Sequence, residues 1–167
     1  ARTVEDRVED SFLLKTVLDT NEQQKEVLFR KLWRHWNTDL KGKTVAVWGG
    51  AFKPNTDSID NAPSLRLLDA LQAQGVMIRL YDPKAQARIR NHFGDRGALT
   101  LCDSAYGAAT GADALMIVTE WKEFWSPDFD LLGDVMNERL IFDGRNLFDP
   151  EYMKRLGFSY FGVGRSS

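Results

Sequence analysis

Three polar clusters in this chain carry residue types that could handle an anion. The first is Gly49-Gly50-Ala51-Phe52-Lys53-Pro54-Asn55-Thr56-Asp57, which follows the apolar run Thr44-Val45-Ala46-Val47-Trp48. A strand running into glycines and then a helix start is how an α/β protein presents a phosphate site. Backbone amides attract the charge, and glycine lets the ligand come close. The second cluster is Thr119-Glu120-Trp121 and the third is Asp143-Gly144-Arg145-Asn146. Lys53 and Arg145 would supply two cations for a diphosphate, Arg145 through its planar fork. Phe52 could pack on a base or sugar, and Trp121 could wall the pocket. Each cluster also has a plainer reading. A glycine pair after a strand is often only a tight turn, and Arg145 could be a surface ion pair with Asp143 or Asp149.

The elements that must position these clusters follow from periodicity. From about Val8 to Trp36, Leu14, Val17, Leu18, Asn21, Gln24, Val27, Leu28, Leu32 and Trp36 keep the three- and four-residue spacing of one helical stripe. Such a helix is roughly 40 Å long. A small domain at one end leaves part of its stripe uncovered, so it should meet another domain or a second copy of the chain. Asn21 and Gln24 interrupt the stripe as a register-fixing pair. Beyond the linker 37–42 the pattern alternates. Strands are predicted at 44–48, 76–81, 99–102, 113–118, 140–142 and 158–161. Helices are predicted at 63–75, 84–93, 104–109, 128–136 and 150–156, the first capped near Asn61 or Ser58 and ended by Gly75. That alternation predicts an α/β fold: a Rossmann-like, doubly wound parallel sheet of order 3-2-1-4-5-6, preceded by the long helix. Residues 1–40 form the helical part and 41–167 the binding domain. Ligands of such sheets sit beyond the carboxyl ends of the strands, near the switch between strands 1 and 4, where all three clusters fall.

Composition narrows the functions. The 167 residues carry 22 Lys and Arg against 24 Asp and Glu, a net charge of −2, which gives no support to a nucleic-acid surface. No apolar run approaches the ~18 residues of a membrane span, and the first residues lack the apolar core of a signal peptide. Cys102 is the only cysteine, so no disulfide forms within the chain, and a reducing cytoplasm fits best. His35 and His92 make no metal spacing with Cys102. The chain begins without Met, as a processed protein or a piece of a longer one would.

Several chemistries fail on spacing. A dinucleotide fingerprint needs glycines where Ala51 and Pro54 stand. Asp82, at the end of strand 2, lies where a ribose-binding acid would lie, but with that loop incomplete Asp82-Pro83 reads mainly as a turn. NAD is therefore not the expected occupant of this sheet. Cys102 has no base beside it and reads as a core residue. Trp33 and Trp36 read as helix-contact aromatics; Trp121, Phe124 and Trp125 read as loop packing.

Gly50-Ala51-Phe52-Lys53-Pro54-Asn55-Thr56-Asp57 resembles the G-x-A-F-K-P-N-T-D segment of the UDP-glucose 6-dehydrogenases, within the UDP-glucose/GDP-mannose dehydrogenase family. Ala62-Pro63-Ser64, Tyr81-Asp82-Pro83, Gly111-Ala112-Asp113-Ala114, Val118-Thr119-Glu120-Trp121 and Phe142-Asp143-Gly144-Arg145-Asn146 follow in the family's order. Asn21 and Gln24 resemble the N-x-x-Q of its central helix. The likeness runs from about Ser11 to Arg165. It implies the central helix and C-terminal UDP-binding domain of an NAD-dependent enzyme of polysaccharide biosynthesis, which oxidises the sugar C6 alcohol to a carboxylate in two steps. By resemblance NAD is bound mainly by an N-terminal domain this chain lacks, as is the catalytic cysteine, so the chain alone is expected to be inactive. The resemblance further implies a UDP-sugar ligand at Phe52, Lys53 and Arg145, with Glu120 and Trp121 beside it, a homodimer through the long helix, and no metal. Asp60 stands where the family usually has an NAD-contacting arginine. Trp48-Gly49-Gly50 replaces a Leu-Gly-Leu type, so the strand end is expected to pack differently. The alternatives are a GDP-mannose or UDP-N-acetyl-sugar dehydrogenase, or a non-catalytic dimerisation module.

Overall fold

The computed structural model describes residues 27–51, 53–59, 62–94 and 97–163. The expectations for residues 1–26, including Asn21 and Gln24, and for Phe52, Asp60 and Asn61 lie outside these residues. A helix over 27–35 (α1) leads into six strands: β1 (Thr44–Trp48), β2 (Met77–Tyr81), β3 (Leu99–Leu101), β4 (Ala114–Ile117), β5 (Leu140–Asp143) and β6 (Ser159–Gly162). Between them run α2 (Pro63–Ala73), α3 (Gln86–Phe93), α4 (Ala105–Ala109), α5 (Phe129–Val135) and α6 (Pro150–Arg155). The sheet is parallel throughout, in the predicted order β3-β2-β1-β4-β5-β6.

The apolar runs explain which strands are central. Every residue of β4 and β5, and all but the first of β1, is buried, so these strands are covered on both faces. Trp48 shows how the altered strand end packs. Its ring is buried, stacks on Phe124 at 5.0 Å, and its indole N–H donates to the Ala105 carbonyl at 2.9 Å. Ser104, Asp128 and Asp149 cap α4, α5 and α6 with side-chain oxygens, as their residue types suggest. Helix α2 differs from expectation. Its N-cap position is Ala62, with no side-chain cap, and Pro63 fills the first turn. Ser64 instead donates to the Gly50 carbonyl at 2.7 Å, so it serves the β1 loop.

The described part of α1 packs into the same core. Leu28 and Leu32 are fully buried, and Lys31 Nζ donates to the Gly162 carbonyl at 2.6 Å, at the end of edge strand β6. A Cβ on Gly144 would come within 2.7 Å of Leu28 Cδ1 and 2.9 Å of the Ile117 carbonyl. Glycine there lets the helix lie against the end of β5.

Gly49 is the other close approach. It has φ of +96°, and a Cβ would fall 2.6 Å from Thr119 Cβ. Gly49→Ala is expected to lower unfolding free energy by about 2–3 kcal/mol, because left-handed strain adds to a clash. Gly42→Ala, at φ of +81° with open space around it, should cost only about 1 kcal/mol. Chemical denaturation of both variants checks this; equal losses would contradict it.

Candidate functional site

The end of β1 is held by an acid from the end of β2. Asp82 is 1% exposed. Its Oδ2 accepts from the Gly50 amide at 2.8 Å, the Ala51 amide at 3.0 Å and the Trp121 indole N–H at 3.2 Å. Its Oδ1 accepts from the amides of Lys84 at 2.8 Å and Ala85 at 2.7 Å. Asp82-Pro83 is thus a turn, as its sequence suggests, but the carboxylate also ties three loops together. The amides of Gly50 and Ala51, which the sequence offered for a phosphate, are already bonded to this side chain. The carbonyls of Gly50 and Ala51 are also engaged. Ser64 donates to the Gly50 carbonyl, and Thr119 Oγ1 donates to the Ala51 carbonyl at 2.8 Å.

The β5 loop is built by the same device. Asp143, fully buried, accepts from the Arg145 amide at 2.9 Å, the Leu147 amide at 2.7 Å and the Tyr160 hydroxyl at 2.7 Å. Asn146 adopts φ of +53° and exchanges two 2.9 Å bonds with Val163, fixing the loop to the end of β6. Arg145 therefore leaves the sheet from a fixed backbone. Its guanidinium pairs through Nε with Glu120 Oε2, not with Asp143 or Asp149. Both partners are partly exposed, and an ion pair of that kind is worth roughly 1 kcal/mol or less. A doubly charged ligand can compete with it for the guanidinium fork.

Lys53 is exposed on the β1 loop. Strands β1 and β5 flank β4 and lie roughly 10 Å apart, and Lys53 and Arg145 follow them on the loops past the same, carboxyl edge of the sheet. The β4 loop joins them, with Thr119 on Ala51 and Glu120 on Arg145. Trp121 is buried against Asp82, while Trp125 is 52% exposed with its indole N–H on the Glu120 carbonyl at 3.2 Å. A separate hollow of about 450 Å³ lies on the β2 side of the β1 loop, lined by Asn55, Thr56, Asp57 and Lys84. Arg88 pairs with Asp57 at 3.0 Å, both exposed.

Sequence reasoning missed Asp82, Ser64, Thr119 and Asp143 as loop holders. One signal was present: an aspartate stands at the carboxyl end of each of two strands, and aspartate at such a place caps the amides two to four residues on. Cys102 lies at the end of β3, buried, and burial pushes its thiol up, which disfavours the reactive thiolate. Among the described residues no group of three or more His, Cys, Asp or Glu could hold a metal ion, and no helix is long and apolar enough to cross a membrane. NAD does not fit the usual dinucleotide position of this sheet, because Asp82 fills the glycine loop with its own carboxylate and has both oxygens engaged.

A parallel sheet of this order, with its polar loops gathered past the switch point, defines the class of Rossmann-like nucleotide-binding domains. The chain belongs to the UDP-glucose/GDP-mannose dehydrogenase family, whose UDP binding domain matches residues 46–150. It is 47% identical to a UDP-glucose 6-dehydrogenase of Pseudomonas aeruginosa, over 98% of this chain and 37% of that protein. A UDP-glucose 6-dehydrogenase of Rhizobium meliloti is 34% identical over the same shares. Among solved structures, a UDP-D-ManNAc dehydrogenase from Pyrococcus horikoshii superposes with a TM-score of 0.66 at 28% identity, covering 86% of this chain and 31% of that one. A UDP-glucose dehydrogenase from Pyrobaculum islandicum shares the fold, with a TM-score of 0.73 at 24% identity over 96% of this chain and 36% of that one. The chain spans just over a third of the length of the curated relatives it matches.

The rim also perturbs one tyrosine. Tyr81 donates to Glu123 Oε1 at 3.0 Å. Burial first, then the hydrogen bond and charge of Glu123, and last the charge of Asp82 push its pKa up to about 12. The folded state therefore keeps a proton that the unfolded state loses near pH 10. This contribution to stability is complete below pH 10 and is lost as pH rises towards 12. Ultraviolet titration should show one of the four tyrosines ionising near pH 12, and Glu123→Gln should bring it down. A titration unchanged by that substitution would contradict the assignment.

Proposed function

We propose that this chain is the nucleotide-sugar-binding portion of an NAD-dependent UDP-glucose 6-dehydrogenase, the parent enzyme converting UDP-glucose to UDP-glucuronate by two oxidations at C6. One observation carries the reading: Lys53 and Arg145 leave the same rim of a parallel sheet on loops that the β4 loop links. The names of the Pseudomonas aeruginosa and Rhizobium meliloti relatives support it, as does the family's UDP binding domain.

In this reading the two cations take the diphosphate, Phe52 lies beside the sugar nucleotide, and Glu120 yields Arg145 to the ligand. The loss of an ion pair worth about 1 kcal/mol is offset by bonds to a multiply charged phosphate, typically 1.5–3 kcal/mol each. NAD supplies the hydride acceptor in the parent. It would be held mainly by a domain outside this chain, since the sheet's own dinucleotide place is filled by Asp82. The chain alone is inactive in this reading, and no oxidation step falls to its residues. Residues 1–40 serve as the central helix of a cytoplasmic homodimer, to which the exposed Trp33 on α1 would contribute a contact.

Titration calorimetry with UDP should give saturable heat. Lys53→Ala and Arg145→Ala should each weaken binding by about ten- to hundredfold. GDP binding as tightly as UDP would favour the GDP-mannose relatives instead. No heat at millimolar UDP would sink the proposal in favour of a non-catalytic assembly module.

A further inference from the structure

We infer that Asp82 is the positioning residue of the nucleotide-sugar site, acting through the loop that carries Lys53. The inference rests on the nucleotide-sugar reading and adds to it a residue that touches no ligand. Asp82 is buried and accepts five hydrogen bonds from three separate segments: Gly50 and Ala51 after β1, Lys84 and Ala85 before α3, and Trp121 after β4. A buried carboxylate placed among N–H donors alone is an acceptor at both oxygens, which no neutral side chain of the same shape can be. Asparagine would aim an NH2 either at the Gly50, Ala51 and Trp121 donors or at the Lys84 and Ala85 donors.

The consequence falls on Lys53. Ala51 is gripped at its amide by Asp82 and at its carbonyl by Thr119, two residues before the lysine. The lysine side chain is exposed and brings no packing of its own, so the direction in which its stem leaves the rim is set by that gripped turn. Arg145 is different. Its backbone is set by Asp143 and its guanidinium by Glu120, and Asp82 reaches that chain only through the indole of the next residue, Trp121, with no bond to its backbone. Asp82 should therefore be coupled to Lys53 more strongly than to Arg145. The arrangement also gives the end of β2 a use other than the ribose contact that its place in a dinucleotide fold would suggest.

The test is a pair of double-mutant cycles read by UDP titration calorimetry. Asp82→Asn should weaken UDP binding about tenfold in a chain that still unfolds cooperatively. In that background Lys53→Ala should cost several-fold less than it costs the wild type, whereas the cost of Arg145→Ala should change by much less. A merely structural role for Asp82 would leave both cycles additive, and either that result or unchanged UDP affinity in Asp82→Asn would overturn the inference. Should Asp82→Asn fail to fold, Trp121→Phe takes its place. It keeps a buried aromatic ring and removes the indole donor, with some loss of packing from the smaller ring. Coupling to Lys53 is again expected, and its absence would overturn the inference. A wild-type chain that binds no UDP would instead bring down the nucleotide-sugar reading on which this rests, and the two failures are distinguished by that first titration.

Discussion

The architecture of the rim depends on one buried carboxylate. Asp82 ends β2, and three loops converge on its two oxygens. Burying a charge is costly unless its lone pairs are satisfied, and here five N–H groups satisfy them. The cost is offset only in the folded arrangement, so the β1 loop, the start of α3 and Trp121 are defined together. Asp143 repeats the solution at the end of β5, with two backbone amides and the Tyr160 hydroxyl. Two acids at matching places in two strands thus shape the two loops that carry the cations.

This changes what the glycines of the β1 loop are for. In a dinucleotide-binding loop they open the backbone to a pyrophosphate. Here the anion beside their amides is part of the protein. Gly49 is needed for its positive φ and for the approach of Thr119, and a side chain on Gly50 would run into Ile89. The loop is a fixed support, so under the proposed function charge binding falls to Lys53 and Arg145 instead of to these amides. Between β1 and β2 the Gly50 and Ala51 amides are therefore not open to a dinucleotide's phosphates.

Much of this was legible in the sequence. Apolar runs bounded by glycine, proline and aspartate located all six strands, and the alternation with helices fixed a parallel sheet and its order. The caps Ser104, Asp128 and Asp149 went unread, although short polar side chains at helix starts bond amides two or three residues on. What was not legible is what depends on contacts distant in sequence. Asp82 to Trp121 spans 39 positions and Thr119 to Ala51 spans 68. Local pattern cannot tell an aspartate that only turns the chain from one that also gathers two other loops. The plainer reading of Arg145 paired it with Asp143 or Asp149, neighbours in sequence; it meets Glu120 of the adjacent strand's loop instead. The cap of α2 was expected near Asn61 or Ser58 and falls instead at Ala62, where no side chain caps and Pro63 opens the first turn.

The central claim is that a protein carboxylate, and not the ligand, occupies the amides of the β1 turn. Amide hydrogen exchange at Gly50 and Ala51, followed by nuclear magnetic resonance with and without saturating UDP, tests it most directly. Both amides should exchange slowly in the free chain, despite lying in a loop, and their resonances should move little on saturation while that of Arg145 Nε–H moves. Fast exchange in the free chain, or protection gained only when UDP is added, would show that the turn waits for the ligand's phosphates and would contradict the role given to Asp82.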